Sequence, residues 1–344
     1  MITDNLFLYK NFKNGEILKN VLKVYDAINT EQKALSEDEI KKLISSIVNS
    51  LTRLQFSHGY NGNLWHNYLT FLLVNNENPY SMACEIRGSV KGSINDIALH
   101  DFEIFKTLFD IDLCALFSKA GVNNTEYLLN YDGGNDEGRF FNKRIRDRIV
   151  DLSLKLSAAK DAYEIKDKVT EFYKDYGVGK FGLHKAFRTE HRDNTGYIAK
   201  DKMADVNLDN KTDVKILPIT NIAHVDFDDL IGYEAQKKQL IDNTEAFINK
   251  RPCNNCLLFG EAGTGKSSSI KALLNKYYDQ GLRIIEIYKH QFKDIEDIIS
   301  QIKNRNYRFI IYMDDLSFEE FEVEYKYLKA VIEGGLEKKP ENVL

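Results

Sequence analysis

Apolar residues recur at three-and-four spacing in several separate stretches of the first 190 residues, the period of helices that bury one face. Leu18, Val21, Leu22 and Tyr25 form one such face, and Leu43, Ile44, Ile47, Val48, Leu51 and Leu54 form a second. Ser36, followed by acidic residues, opens the second helix as an N-cap and the helix dipole favour. Ile97, Phe102, Phe105 and Leu108 predict a third, residues 145–156 a fourth and residues 162–176 a fifth. These stripes read as core, so residues 1–190 are expected to form a mainly α-helical amino-terminal domain. Turn chemistry interrupts it at HGYNGN, ending at Asn63, and at YDGGNDEG, residues 131–138. The second loop lacks the alternating carboxylates and terminal Glu of an EF-hand and reads as a solvated connector.

Around residues 192–213 the chain turns rich in Asp, Asn, Lys and Thr and loses periodicity, which places a linker over 191–221. Beyond it, short β-rich runs alternate with helical segments, the pattern of an α/β domain with a largely parallel sheet over 222–344. Strands are expected at 256–259, 283–288 and 309–313, with helices at 267–278 and 294–303 between them. A further helix over 322–333 should stop at Gly334-Gly335.

Composition narrows the class. Of 344 residues, 43% are hydrophobic and 29% charged, with 20 Phe and 19 Tyr to bury, as in a folded globular protein. A net charge of −5 gives no overall positive field towards nucleic acid, which counts against that partner without removing it. Four Cys cannot build a disulfide framework in so long a chain, the start lacks a signal-peptide layout, and the apolar runs at 68–74 and 309–313 are too short to span a bilayer. The expectation is a cytoplasmic protein that does not enter a membrane.

The most informative stretch is GEAGTGKS: Gly260, Glu261, Ala262, Gly263, Thr264, Gly265, Lys266 and Ser267. It fits G-x-x-x-x-G-K-[ST] at every fixed position, an accident expected on the order of one time in a hundred in a chain this long. It follows the apolar run 257–259 and precedes an amphipathic segment carrying Ile270, Leu273, Leu274 and Tyr277, the strand–loop–helix context such a loop needs. Glycines turn successive N–H groups towards phosphate oxygens, and the helix adds the positive end of its dipole. Lys266 is expected at the β and γ phosphates, Ser267 on Mg²⁺, and Ser268 beside them at the helix start. The run FIIYMDDL ends in Asp314 and Asp315 at the carboxyl edge of a buried strand, where such sheets bind ligands. Asp314 fits the carboxylate that holds Mg²⁺, and Asp315 the group that polarises an attacking water, with a side chain one methylene shorter than the usual Glu.

Three weaker signals are read as structural. GVGKFG, residues 177–182, matches G-x-G-x-x-G but follows a helix with no βαβ unit around it, so it reads as a turn. Cys253-x-x-Cys256 has metal spacing without a second ligand pair nearby, and the scattered His residues lack the pairing of a helical metal site.

Together, FDDLIGYEAQKKQL (227–240), the phosphate loop and YMDDLSFEE resemble the AAA+ ATPase superfamily, and within it the bacterial predicted ATPases catalogued as domain of unknown function 815. The likeness is sharpest over 227–336. It implies an α/β P-loop NTPase core, ATP and Mg²⁺ as cofactors, and Ile231 and Gly232 near the adenine. It also implies assembly into a homo-oligomer and remodelling of an unknown protein partner, met through the helical amino-terminal domain. Members continue past the acidic strand into a sensor strand, an arginine finger and a helical lid. The chain ends at Leu344, where that strand would begin, so it is expected to be a fragment or truncated form with an exposed sheet edge. The implied activity of the full-length form is hydrolysis of ATP to ADP and phosphate, with catalytic Lys266 and Asp315. The alternative is a nucleotide-responsive binding module with little or no hydrolysis, since Asp315 stands where many relatives carry Glu. A small-molecule kinase would need an acceptor pocket and a basic lid that the sequence does not offer.

Overall fold

Side-chain caps and apolar stripes set the helices of residues 1–183, the first of two units into which the computed structural model divides; the second is 184–344. The structure describes residues 2–29, 35–133, 142–191, 214–314 and 339–344. In the first unit the chain runs through α1 (Glu16–Asn29), α2 (Glu37–His58), α3 (Leu64–Asn75), α4 (Pro79–Arg87), α5 (Ile94–Phe109), α6 (Leu113–Lys119), α7 (Lys143–Ser157), α8 (Ala162–Tyr176) and α9 (Gly179–Leu183). The expected cap of α2 is a full capping box: Ser36 Oγ accepts the Glu39 N–H at 3.3 Å while the Ser36 N–H donates to the Glu39 carboxylate at 2.8 Å. Asn63, the end of the first turn-rich loop, caps α3 by accepting the N–H groups of Trp65 and His66 at 3.0 and 3.1 Å. The two loops meet through an antiparallel bridge between Gly62 and Tyr131.

The stripes turn inward largely as expected, with Leu18, Val21, Ile47, Leu51, Phe102, Phe105, Ile149 and Leu156 buried in one core. Tyr25 and Ile97 are corrections: both are exposed, at the margins of stripes centred on Leu18–Val21 and on Phe102–Phe105. The deepest polar anchor is Asp101, fully buried, whose carboxylate accepts the N–H groups of Phe7, Leu8 and Tyr9 at 2.9, 2.8 and 2.9 Å and so fastens the amino-terminal segment to α5. The GVGKFG segment turns only at residues 177–178, after α8, and its remaining residues enter α9, so the turn expected over 177–182 is confined to its first two positions. The Gly177 N–H donates to Tyr173 O, the Val178 N–H donates to the buried Glu85 carboxylate at 2.9 Å, and a Cβ on Gly179 would stand 2.2 Å from Glu77 Oε1.

Among the described residues the second unit contains a four-stranded sheet in the order β2-β1-β3-β4, built from β1 (Ala186–His191), β2 (Val214–Ile219), β3 (Leu282–Ile287) and β4 (Arg308–Met313). β1 pairs antiparallel with β2 and parallel with β3, and β3 pairs parallel with β4. Its described helices are α10 (Glu234–Ile248), α11 (Lys266–Tyr277) and α12 (Ile295–Ile302). The mixed α/β architecture with a mostly parallel sheet is compatible with a P-loop NTPase. Leu240, Phe247, Leu273, Tyr277 and Leu282 form a core between α10, α11 and the sheet.

Three differences from the sequence reading have physical causes. Residues 214–219, expected in the linker, form an edge strand: VKILPI alternates its burial and tolerates Pro218 because an edge strand need not donate on both sides. β1 pairs with it, so the division between units falls at 183/184 and β1 lies in the second unit. Residues 256–259, expected as a strand, have no ladder, and Leu257 and Phe259 are 70% and 89% exposed. The outer edge of β4 is bonded instead to residues 342–344: Phe309 N–H donates to Asn342 O, Leu344 N–H to Phe309 O and Ile311 N–H to Leu344 O, at 2.8 to 2.9 Å. The expected exposed edge is therefore covered over the first half of β4. The helix expected over 322–333, Gly334-Gly335, most of the linker and the tip of the loop at 131–138 lie outside the described residues. No described helix is long and apolar enough to cross a membrane.

Candidate nucleotide site

The turn from residue 260 to α11 is shaped by backbone that L side chains resist. Gly263 and Gly265 hold φ of 80° and 85°, in the left-handed region where a Cβ is strained. Thr264 Oγ1 donates to Glu261 O at 2.9 Å and closes the loop on itself. Gly260, Glu261, Ala262 and Gly263 are exposed, while Thr264 to Ser269 are half-buried. α11 begins after Gly265 with no side chain capping its first turn, which leaves the amino-terminal peptide dipoles directed at whatever lies before the helix.

Lys266 bends over this loop, its ammonium donating to Gly260 O at 2.9 Å and to Glu261 O at 2.8 Å. Ser267, one residue on, faces the sheet. Its hydroxyl donates to Asp314 Oδ1 at 3.5 Å and accepts from the Tyr312 hydroxyl at 3.2 Å. Residues 47 apart in sequence thus share one hydrogen-bonded chain from strand end to helix start. Ser268 is half-buried in the first turn of α11, and Ser269 Oγ is occupied by Gly265 O at 2.9 Å.

Tyr312 is the participant that motif reading missed. Strand alternation could have found it, since it precedes Asp314 by two positions and so lies on the same face of the strand. Its phenol is pushed up to about 12, chiefly by burial, with the Asp314 carboxylate adding to the effect and the bond to Ser267 opposing it. It therefore remains a proton donor to Ser267 at neutral pH.

Leu230 comes to the loop: a Cβ on Gly265 would touch its Cδ2 at 3.7 Å, and Lys237 Nζ holds the Leu230 carbonyl at 2.7 Å. Gly232 sits in the turn after it with φ 83°. Ile231 is not drawn in; its side chain is 95% exposed. Asp315 lies outside the described residues.

The donor set fits a nucleotide phosphate with a hard cation. Ser267 Oγ and Asp314 Oδ1 are two adjacent oxygens, the ligand type Mg²⁺ takes while keeping water and phosphate oxygens in its remaining positions. Lys266 donates to loop carbonyls that phosphate oxygens can replace as acceptors. The CxxC pair is different. Cys256 Sγ receives a hydrogen bond from Asn243 Nδ2 at 3.1 Å, and partial burial together with the neighbouring Cys253 pushes its thiol up. Among the described residues no group of three or more His, Cys, Asp or Glu could hold a metal.

Comparison with known proteins bears on the same part of the chain. Residues 201–344 match the family model described as Protein of unknown function (DUF815). A stretch of 71 residues is 35% identical to the replication factor C large subunit of Staphylothermus marinus, covering 20% of this chain and 16% of that protein. Both matches support an AAA+-related family. The chain thus spans about a sixth of the length of that relative, and no solved structure matches it. An AAA+ relationship implies use of nucleotide and Mg²⁺ in general, in keeping with the Ser267–Asp314 pair.

Proposed function

We propose that the chain binds Mg-ATP at Gly260–Ser268 and Asp314, and that it serves an AAA+ ATPase that hydrolyses ATP to ADP and phosphate and couples this to remodelling a protein partner. The observation that carries this reading is the hydrogen bond between Ser267 of the phosphate loop and Asp314 at the end of β4. Bound Mg²⁺ would neutralise charge on the β and γ phosphates. Lys266 exchanges the Gly260 and Glu261 carbonyls for phosphate oxygens, and the uncapped start of α11 adds its dipole. Ser267 offers a lone pair to the metal, its hydroxyl oriented by the Tyr312 proton on one side and by the Asp314 carboxylate on the other. In this reading Asp315 orients the attacking water, Ile231 and Gly232 flank the base, the helical amino-terminal domain meets the partner, and the working form is a homo-oligomer.

Turnover tests the proposal. Release of phosphate from Mg-ATP should be abolished by Lys266→Ala and slowed at least tenfold by Asp315→Asn. Turnover unchanged in both variants would overturn it. Because Asp is a methylene shorter than the Glu often found at that position, a nucleotide-responsive binding module is the second reading. Saturable Mg-ATP binding with negligible turnover, and a partner affinity that changes with nucleotide, would favour it.

A further inference from the structure

Before α10 the chain makes a turn that its own backbone does not hold. The residues leading into it are fastened to α11: Asn275 Nδ2 donates to Val225 O at 3.0 Å, Lys276 Nζ lies 5.9 Å from the centroid of the Phe227 ring, and the Leu230 side chain lies beside Gly265. Ile231 and Gly232 then make no backbone hydrogen bond among the described residues. Gly232 and Tyr233 are left-handed in succession, with φ of 83° and 57°. Glycine adopts this backbone freely, but for a tyrosine it is strained and persists only where the surroundings fix it. The Tyr233 side chain is exposed, so burial of its ring does not supply the restraint.

Lys237 supplies it. Its ammonium donates to Leu230 O at 2.7 Å and pairs with the exposed Glu234 carboxylate at 2.7 Å, while the lysine side chain itself is only 13% exposed. A charge-assisted bond so far out of water holds its geometry better than an exposed ion pair does. Lys237 stands one turn into α10, where the helix dipole opposes a cation, so the stability of the helix does not call for it. Its bond to Leu230 O closes the turn over residues 231–233, between the phosphate loop at Gly265 and the start of α10.

We infer that Lys237 is a positioning residue for the nucleoside part of the ligand, an inference that rests on the phosphate-loop reading above. Its ammonium is taken by Leu230 O and Glu234, so it acts through the turn and not on the ligand. The phosphate groups are met by Gly260–Ser268, which Lys237 does not bond. Loss of the clamp should therefore weaken a ligand that carries a base and leave a bare diphosphate unaffected.

Titration calorimetry with Mg-ADP and with Mg-pyrophosphate separates the two contributions, because both offer linked phosphate groups and only ADP adds ribose and base. The unaltered chain should bind ADP at least about tenfold more tightly than pyrophosphate. Lys237→Met keeps the apolar stem and loses the ammonium; it should weaken ADP about tenfold, as loss of a hydrogen bond to a charged group implies, and leave pyrophosphate within about twofold. Lys237→Arg can donate to the same carbonyl and should recover part of the loss. Gly232→Ala is a second probe: a Cβ there meets nothing within 4 Å, so it strains the turn through φ alone, and the same selective loss is expected. Pyrophosphate binding in each variant reports that its phosphate loop is folded. Equal weakening of both ligands by Lys237→Met, an unchanged ADP affinity, or ADP no tighter than pyrophosphate in the unaltered chain would overturn the inference and leave the phosphate-loop reading standing. If neither ligand binds the unaltered chain, both readings fall together.

Discussion

Six helices of residues 1–183 begin under a side-chain cap, from Ser36, Asn63, Asn78, Asp112, Asn142 and Asp161, whereas α10 and α11 of the second unit begin after Tyr233 and Gly265, both in the left-handed region and neither capping. A cap typically stabilises a helix by about 1 kcal/mol. Forgoing it at α11 leaves the first turn to interact with an anion. α12 also lacks a side-chain cap, but it is entered through the 3₁₀ turn Lys289–Asp294, which continues into it. Side-chain caps are thus common in the first unit, α5 after Ser93 being an exception, and absent at Gly265, where the chemistry is proposed.

The same contrast holds for buried polar groups. Asp101 is spent on three backbone N–H groups within the first unit, while Ser267, Tyr312 and Asp314 bond one another at a half-open strand end. The first set is a fastening and the second can exchange partners. Perturbing the two should therefore produce separable effects. The single tryptophan, Trp65, is buried in the first unit with its Nε1 donating to Leu108 O at 2.8 Å, so its emission reports that unit alone.

The largest effect is expected from Asp101→Ala, which strips three backbone donors of their acceptor and should cost about 3–5 kcal/mol in urea unfolding followed at Trp65. Mg-ATP affinity should remain unchanged; loss of both would erase the distinction between scaffold and site. Gly179→Ala comes next, at about 1–2 kcal/mol by the same probe, because φ is +66° and the new methyl would meet the Glu77 carboxylate. Ser36→Ala should cost about 1 kcal/mol through loss of the α2 cap, and an unchanged urea midpoint would mean that the capping box contributes nothing. The smallest effect is a pH dependence. Burial lowers the pKa of both His58 and His66, whose neutral rings donate to Leu54 O and Phe109 O at 3.0 and 2.9 Å. A histidine lowered by folding contributes stability above its ordinary value near 6.5 and loses it as pH falls towards the depressed value, because the unfolded chain takes up the proton first. Stability at Trp65 should decline below about pH 6.5, and His58→Gln should flatten that decline.

Much of this was legible in the sequence because it obeys local rules. The Ser36 cap, the stripe of Leu43 to Leu54, the helix over 162–176 and the turn at Gly177 all follow from period and residue type within a dozen positions. The glycine-rich turn before α11 and the strand that precedes Asp314 were readable for the same reason. What escaped depended on distant partners. α3 is buried almost all round, so LWHNYLTFLLVN shows no polar face to mark its period. β2 was hidden in a polar stretch until β1 supplied its ladder. The run Leu257–Phe259 has strand composition but joins no ladder among the described residues, and the outer edge of β4 is bonded to residues 342–344. Tyr312 was passed over because a phenol beside a serine belongs to no short motif.

The most direct test of the central claim is a calorimetric titration of Mg-ATP into the 344-residue chain and into Lys266→Ala. One saturable equivalent is predicted for the unaltered chain. Its affinity should fall on the order of a hundredfold in the variant, as loss of two charge-assisted contacts implies, with Trp65-reported stability unchanged. Binding of equal strength in both chains, or none in a chain shown to be folded, would contradict the account.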